Sequence, residues 1–593
     1  MITINDPKSR SLFDIWANLG PKRRLMLDES WSGIFRSKIL PILPAEKLIS
    51  KYEVDFGRPS KELYSSLGVL LLQQMHDLTD SETVEQFSFN IQWHYALNIT
   101  NDSDASSYMC EKTLWNFRKL VTEMGIDSEL FELITGELAK AFSVDTRNQR
   151  LDSVHIRSNM KNLGRIGMVT TTIRKFLVNL KRHQCDLFKS LPANLIDTYL
   201  SKDPLAVFSK VKPSESRHKL KQVCQDMFEI YKHFAGAESV ESMTSYKLLS
   251  RVLNEHCNIS SINQEGKEGI TVKAAKSISG GSLQNPSDPT AGYNSHKGQG
   301  YEGQVMETYT VKDNDHSNNA NEKDNVKEKK AELNLITYVS PAPSNCSDAD
   351  ALMPAIKDTG RRELGPEKIL ADALYGSDEN LKSAKDEGVE VVAPVMGYKE
   401  KHAINLSDFE ISEGYKEIIC PMGQKAERIN LCKDSLHAGF AIVTCRQCAR
   451  LSDCPVKKGA KFYYLRSTYQ AFKNSHRRKF ESTAKFKEQY RMRSGIEGAI
   501  SELDRRTGIK HLRVRGLAAV RFCMNLKAAG LNIFRSSAFV MLLKTQETQK
   551  ASKGMIKKSS KKHGEVLLIF ICRKIHNIFL TISQFRLPHA ISL

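Results

Sequence analysis

From residue 13 to residue 142 apolar side chains recur at the three- and four-residue spacing of amphipathic helices, with short polar turns between the runs. The run 63–75, with Leu63, Leu67, Leu70, Leu71 and Met75, predicts one such helix. Thr79 and Glu82 stand at the spacing of a capping box and predict the start of the next. Residues 112–119 set basic side chains among Leu114, Trp115 and Phe117, which suits either a recognition helix of helix-turn-helix type or a helix facing a core. The expectation is an all-helical N-terminal domain over 1–145, with the domain as a whole, rather than that helix, as the DNA-binding unit.

At 149–156 the period shortens to the alternation of a strand, with Asp152 beside Val154 and Ile156 on one face. An acid on a buried-looking strand needs a reason. Residues 146–164 are read as the first strand region of a core, and 165–260 as a helical insertion or lid attached to it. Strand signals return at 302–311 and 333–339, separated by a polar run, 318–330, that reads as a mobile hairpin tip. A helix from Asp348, a strand 368–374, a helix 379–386 and a strand 389–394 continue the core to residue 398 in β-α-β rhythm. The expected class is α/β, a mixed sheet with flanking helices. Asp372 sits late in its strand, at the end that commonly lines a site in open α/β sheets. No phosphate loop or dinucleotide fingerprint is present.

Residues 399–462 break that rhythm and carry Cys420, Cys445, Cys448 and Cys454, enough thiolates to close a tetrahedral structural zinc site. The gaps from Cys420 to Cys445 and from Cys448 to Cys454 are not those of a standard finger, and Cys432 and His437 are alternative ligands. Over 463–536 follows a basic, helix-prone stretch in which Tyr490, Arg493 and Glu497 share one face if the segment is α-helical, with Ile496, Ile500 and Leu503 as the stripe that docks it. Such a face is either a solvated Arg/Glu pair or part of a site. Residues 537–593 form a basic and then hydrophobic tail of no assigned role.

Charge changes this picture. The 593 residues carry 87 Lys and Arg against 68 Asp and Glu, a net charge of +19. The excess is concentrated in 456–493 and 505–535, on either side of Glu497, which favours a nucleic acid over an anionic membrane. The N-terminus has no charged head followed by an apolar run, and the apolar run 566–572 falls well short of the roughly 20 residues of a membrane span. An intracellular protein without a membrane segment is expected, its twelve cysteines mostly reduced thiols or metal ligands.

Three acids stand out by placement: Asp152, Asp372 and Glu497. Each alone is explicable as a cap, a turn residue or a surface charge. Together they supply the hard oxygen donors that two Mg²⁺ ions need in polynucleotidyl transfer. The sequences around them, Leu151 to His155, Ala371 to Gly376 and Tyr490-x2-Arg493-x3-Glu497, resemble the DDE insertion-sequence transposases. The last piece looks like that family's Tyr-Arg-Glu signature, although Asp504 stands where the family carries Lys or Arg.

The resemblance covers about 13–535 and implies an RNase H-like catalytic core, an all-α N-terminal domain and a zinc-knuckle insertion. It further implies Mg²⁺ (or Mn²⁺) on Asp152, Asp372 and Glu497, and cleavage and strand transfer of double-stranded DNA at the terminal repeats of an insertion sequence and in target DNA. Tyr490 and Arg493 would then position DNA phosphates, with Lys510, Arg513 and Arg515 as backbone contacts. The protein would act as a homodimer on DNA, cytoplasmic and nucleoid-associated. Two other readings stay open: an inactive DNA-binding derivative, and a nuclease that cuts without joining.

Overall fold

The structure is a computed structural model that describes residues 1–7, 15–53, 56–201, 207, 211–260, 269–311, 331–397 and 403–559. The polar run 318–330 and the apolar run 566–572 lie outside the described residues.

Up to residue 141 the described chain forms helices only. Helix α1 (Leu63–Met75) buries twelve of its thirteen residues, so it runs through a core rather than along a surface. Helix α2 (Asp80–Phe89) opens on Thr79, with both hydrogen bonds of the capping box made to Glu82. Helix α3 (Glu111–Glu123) buries Leu114, Phe117 and Val121. Trp115, 53% exposed, points away from that core. Helix α4 (Ile126–Ala141) follows.

The chain then enters a mixed sheet. Strand β1 (Asn148–Ile156) pairs antiparallel with β2 (Gly298–Thr308), which pairs antiparallel with β3 (Ile336–Pro343). On its other side β1 pairs parallel with β4 (Lys368–Leu370), and β4 with β5 (Glu390–Val392). Helices α5 (Leu352–Arg361) and α6 (Asp378–Asp386) join the parallel strands and cover one face, where Leu151, Met306, Leu352, Ile356 and Ile369 form a core. The other face of β1, with Val154 and Ile156, joins the core built by the N-terminal helices. Strand β4 is shorter than the expected 368–374. It ends at Leu370 because Asp372 turns to cap the 3-10 turn Ala373–Tyr375, its Oδ1 accepting the Leu374 amide at 2.8 Å.

Between β1 and β2 the helical insertion has a core of its own, with Ile173, Phe176, Met227, Leu249 and Val252 buried together. Between β5 and the late helices lies a small antiparallel sheet of β6 (Arg428–Leu431), β7 (Ser435–Ala441), β8 (Lys457–Lys458) and β9 (Phe462–Thr468), again with a separate core. Helices α7 (Tyr469–Glu481), α8 (Ala484–Arg491), α9 (Gly495–Thr507) and α10 (Leu517–Ser559) complete the described chain.

The boundary placed at 536/537 is not a structural one. Helix α10 runs unbroken through it to Ser559, in a stretch of helix-favouring Ala, Leu, Met, Lys and Gln. By length and composition Leu517–Gln549 would suffice to cross a membrane, in contrast to the expectation of no such helix. More than half of its apolar window is buried in the fold, where it packs on α4, α1 and β3 as an internal helix.

Candidate active site

Asp152 lies on the same face of β1 as Arg150, Val154 and Ile156, two residues apart each time. Its carboxylate is mostly buried, and Oδ1 accepts the Ser153 amide at 2.9 Å. Arg493 approaches from the other side, with Nη2 2.7 Å from Asp152 Oδ2 and Nη1 2.9 Å from Glu497 Oε1. One guanidinium therefore joins an acid of β1 to an acid of α9. Burial raises the Asp152 pKa, Arg493 opposes the rise, and the nearby charges of Asp372 and Asp348 add to it. Asp372, just past the end of β4, is thus within electrostatic reach of Asp152. Tyr490 stacks on Phe486 at 5.5 Å, and its pKa is raised by burial and by Asp372 and Asp152 against the pull of Arg493.

The expected single α-helix through Tyr490, Arg493 and Glu497 is interrupted. Helix α8 ends at Arg491, Met492–Ser494 form one 3-10 turn, and α9 begins at Gly495. At this break stands Arg150, which sequence reasoning did not single out. Its Nη1 donates to the Met492 carbonyl at 2.8 Å, and its guanidinium fills the space in which a side chain at Gly495 would begin. Ile496, Ile500 and Leu503 dock α9 as expected, all buried. Glu497 projects outward, its side chain 66% exposed.

A second polar group beside Asp152 also went unread. Asp348, at the start of the turn before α5, accepts from Gln304 at 2.7 Å and from Ser153 at 3.0 Å. Lys297 reaches Glu302 at 2.6 Å and Asp348 at 3.7 Å, and its Nζ lies 3.3 Å from Ser153 Oγ. His155 Nδ1 lies 3.8 Å from Glu302. The only local signal was an acid, Asp348, at a helix start, which reads as an ordinary cap.

The three expected backbone contacts run beside the end of β1, where the Arg157 amide donates to the Lys510 carbonyl and the Asn159 amide to the Val514 carbonyl. Each side chain has a partner within the protein. Arg513 pairs with Asp77 at 3.1 Å, Lys510 with Asp504 at 3.8 Å, and Arg515 donates to the Asn159 carbonyl. Asp504, the departure from the signature, caps this turn by accepting the Lys510 amide at 3.1 Å.

Cys420, Cys445, Cys448 and Cys454 line one cavity of about 420 Å³, whereas Cys432 is exposed on the β6–β7 hairpin. The Cys445 thiol is pushed up to about 11 by burial and by the charges of Cys454, Cys420 and Cys448. Among the described residues, no three His, Cys, Asp or Glu side chains are close enough together to hold a metal ion as they stand. The donor types nevertheless fit. Asp152, Asp372 and Glu497 offer the oxygen atoms that hard divalent cations take, and the crowding of Asp152 by Asp372 and Asp348 calls for a counter-charge, here provided by Arg493.

Residues 419–536 match the family model described as Transposase DDE domain. Residues 28–120 match a second model, Transposase domain (DUF772). The first match includes Tyr490, Arg493, Glu497 and the four cavity cysteines, and the second includes α1, α2 and most of α3. No curated protein and no solved structure matches the chain. Both matches are to transposase models, and together they support an insertion-sequence DDE transposase.

Proposed function

We propose that this chain cuts DNA at the ends of an insertion sequence and joins those ends to target DNA, using Asp152, Asp372 and Glu497 to hold Mg²⁺ (or Mn²⁺). The observation that carries this reading is Arg493, whose guanidinium draws Asp152 and Glu497 to one point, with the charge of Asp372 felt at Asp152. A bound divalent pair would activate the attacking oxygen and stabilise the leaving oxygen. The protein's own groups do the rest. Asp152 is held in register by β1 and Glu497 by α9. Arg493 neutralises both in the protein alone and passes to a DNA phosphate when substrate arrives, a transfer for which its bidentate fork is suited. Tyr490 screens the same point from water by its packing on Phe486. Lys510, Arg513 and Arg515 exchange their internal partners for phosphates along the duplex.

The exposed face of α3, with Lys112, Trp115, Asn116 and Lys119, is the reading surface for terminal repeats, in a homodimer that brings two ends together. The four cavity cysteines hold a structural zinc in the small sheet that delivers α7 to α9. Among the described residues the single span-like helix is internal, which agrees with a cytoplasmic enzyme found on the nucleoid when bound to DNA.

The test is incubation of the whole protein with element-end duplex, target duplex and Mg²⁺, resolving cleaved from joined products. Both products are expected, and Asp152→Asn, Asp372→Asn and Glu497→Gln should each remove both. Cleavage without joining would favour a nuclease, and neither product in the presence of tight duplex binding a DNA-binding derivative. Wild-type cleavage by any of the three variants would remove that residue from the site.

A further inference from the structure

We propose that Arg150 is a positioning residue that sets where Glu497 stands, by threading its guanidinium through the gap left by Gly495. The inference rests on the reading that Glu497 completes the acid set.

Arg150 and Glu307 are direct partners in the β1–β2 register. The Glu307 side chain is 1% exposed, and its Oε1 takes Arg150 Nε at 2.6 Å and Nη2 at 2.5 Å. Its Oε2 takes Arg535 Nη1 at 2.9 Å, and Arg535 continues to Glu502 on α9 at 3.0 Å. Two cations and two anions thus alternate in one line across β1, β2, α10 and α9. One donor of Arg150 is left over, Nη1, and it reaches the Met492 carbonyl. The helix carrying Glu497 is consequently fastened at two levels, through Met492 at its entry and through Glu502 in its middle.

Replacing a buried ion network by apolar packing is often neutral for stability, so a network of this kind is best understood through the geometry it imposes. Here the geometry is specific. Arg150 and Asp152 share a face of β1 two residues apart, while Met492 and Arg493 are adjacent on the approaching segment. The contacts Arg150 to Met492 and Asp152 to Arg493 therefore key one segment against the other like two teeth. Sliding α9 by one residue along β1 would strand the Arg150 donor and leave a buried charge incompletely paired. A side chain at position 495 would collide with the guanidinium, so Gly495 is part of the same device.

The test is a double-mutant cycle on the full chain, with Arg150→Met, Gly495→Ala and both together. Three quantities are read: kcat and KM for cleavage of element-end DNA, Mn²⁺ binding by the DNA-free protein in calorimetry, and the thermal midpoint. Each single change is expected to lower kcat by about a hundredfold, as a misplacement near 1 Å does, with KM for DNA within about threefold. Each should also weaken Mn²⁺ binding by about tenfold. The double variant should be no worse than Arg150→Met alone, since with the guanidinium gone the added methyl meets no obstacle and Ala favours helix over Gly. Additive losses, or a lowered thermal midpoint with kcat and Mn²⁺ affinity unchanged, would overturn the proposal.

Should Arg150→Met not fold, Gly495→Ala decides by itself. Helix propensity alone would make it harmless, so lost kcat and Mn²⁺ affinity with intact DNA binding supports the proposal, and unchanged kcat overturns it. Glu497→Gln is run alongside. If Glu497→Gln leaves cleavage intact, the acid assignment fails. If it abolishes cleavage while the cycle is additive, only the role of Arg150 fails.

Discussion

Arg493 Nη2 lies 2.7 Å from Asp152 Oδ2 across 341 residues of sequence, and the same guanidinium holds Glu497 at 2.9 Å. A cation within a set of acids competes with any metal for them. Arg493→Gln is therefore expected to tighten Mn²⁺ binding by the DNA-free protein while lowering cleavage by about a hundredfold, the usual cost of removing one charge-stabilising donor. Calorimetry and single-turnover cleavage on the same preparation check both signs. Weaker Mn²⁺ binding in the variant would show that Arg493 organises the acids rather than competing for them.

The basic turn should report itself through salt. Replacing Lys510 by Gln is expected to reduce the slope of log affinity against log salt by about one and to weaken binding to all duplexes alike. Arg513→Gln should do the same and also lower the thermal midpoint, because Arg513 is tied to Asp77 as well. Filter binding across a salt series, with an element-end and an unrelated duplex, makes the measurement. A slope unchanged in both variants would remove this turn from the interface.

Of the four tryptophans, Trp16, Trp31 and Trp93 are buried and Trp115 is 53% exposed. If α3 enters a groove, saturating element-end duplex should quench intrinsic fluorescence, and Trp115→Phe should abolish most of that change. The substitution alters no buried contact, so its thermal midpoint should stay within about 0.5 kcal/mol equivalent of the parent. A quench that survives in Trp115→Phe places the contact elsewhere.

The four cysteines of the small sheet predict zinc recovered at one atom per chain from protein purified without chelator. Because burial and neighbouring thiols hold Cys445 up at about 11, binding must displace protons, and zinc added to stripped protein in weak buffer should acidify it. Cys445→Ser should lose the metal and lower the thermal midpoint. Metal-free protein with the same midpoint would make these thiols ordinary packing groups.

His76 gives a pH dependence that owes nothing to the acids. Its ring lies 5.1 Å from Trp31 and 5.5 Å from Phe534, its Nε2 is buried without a partner, and burial lowers its pKa from 6.5 to about 4. Between those values the unfolded chain binds a proton that the folded chain refuses. Stability is therefore fully present above pH 6.5 and falls as pH drops toward 4, by up to roughly 3 kcal/mol. His76→Phe should flatten that part of a denaturation-against-pH profile, with an unchanged slope counting against it.

Much of the architecture could be read locally. The helical run to residue 141, the strand holding Asp152 and the capping box at Thr79 follow from spacing and short-range hydrogen bonds. The docking stripe of Ile496, Ile500 and Leu503 follows from helical period in the same way. The strand of Asp372 was read too long, because Asp372 turns the chain by capping its own successor, and a carboxylate is compatible with both states. The division at 536/537 falls inside helix α10, because charge and composition change there while helix propensity does not.

By itself, then, the sequence determined which segments are helix and strand, where the positive charge lies, and which three acids stand at the ends or faces of those segments. These are properties of period, composition and local chemistry. Only the tertiary structure decided what stands between the acids. Arg493 was legible as a basic residue near Glu497, but not as the counter-ion of Asp152. Arg150, Glu307, Arg535 and Lys297 had no local mark, and Asp348 had only that of an ordinary helix-start acid. Their roles arise from contacts between residues hundreds of positions apart, and such contacts leave no periodicity behind. Gly495 makes the point most sharply: in sequence it is a weak spot in a helix, and in the fold it is the opening that admits the Arg150 guanidinium.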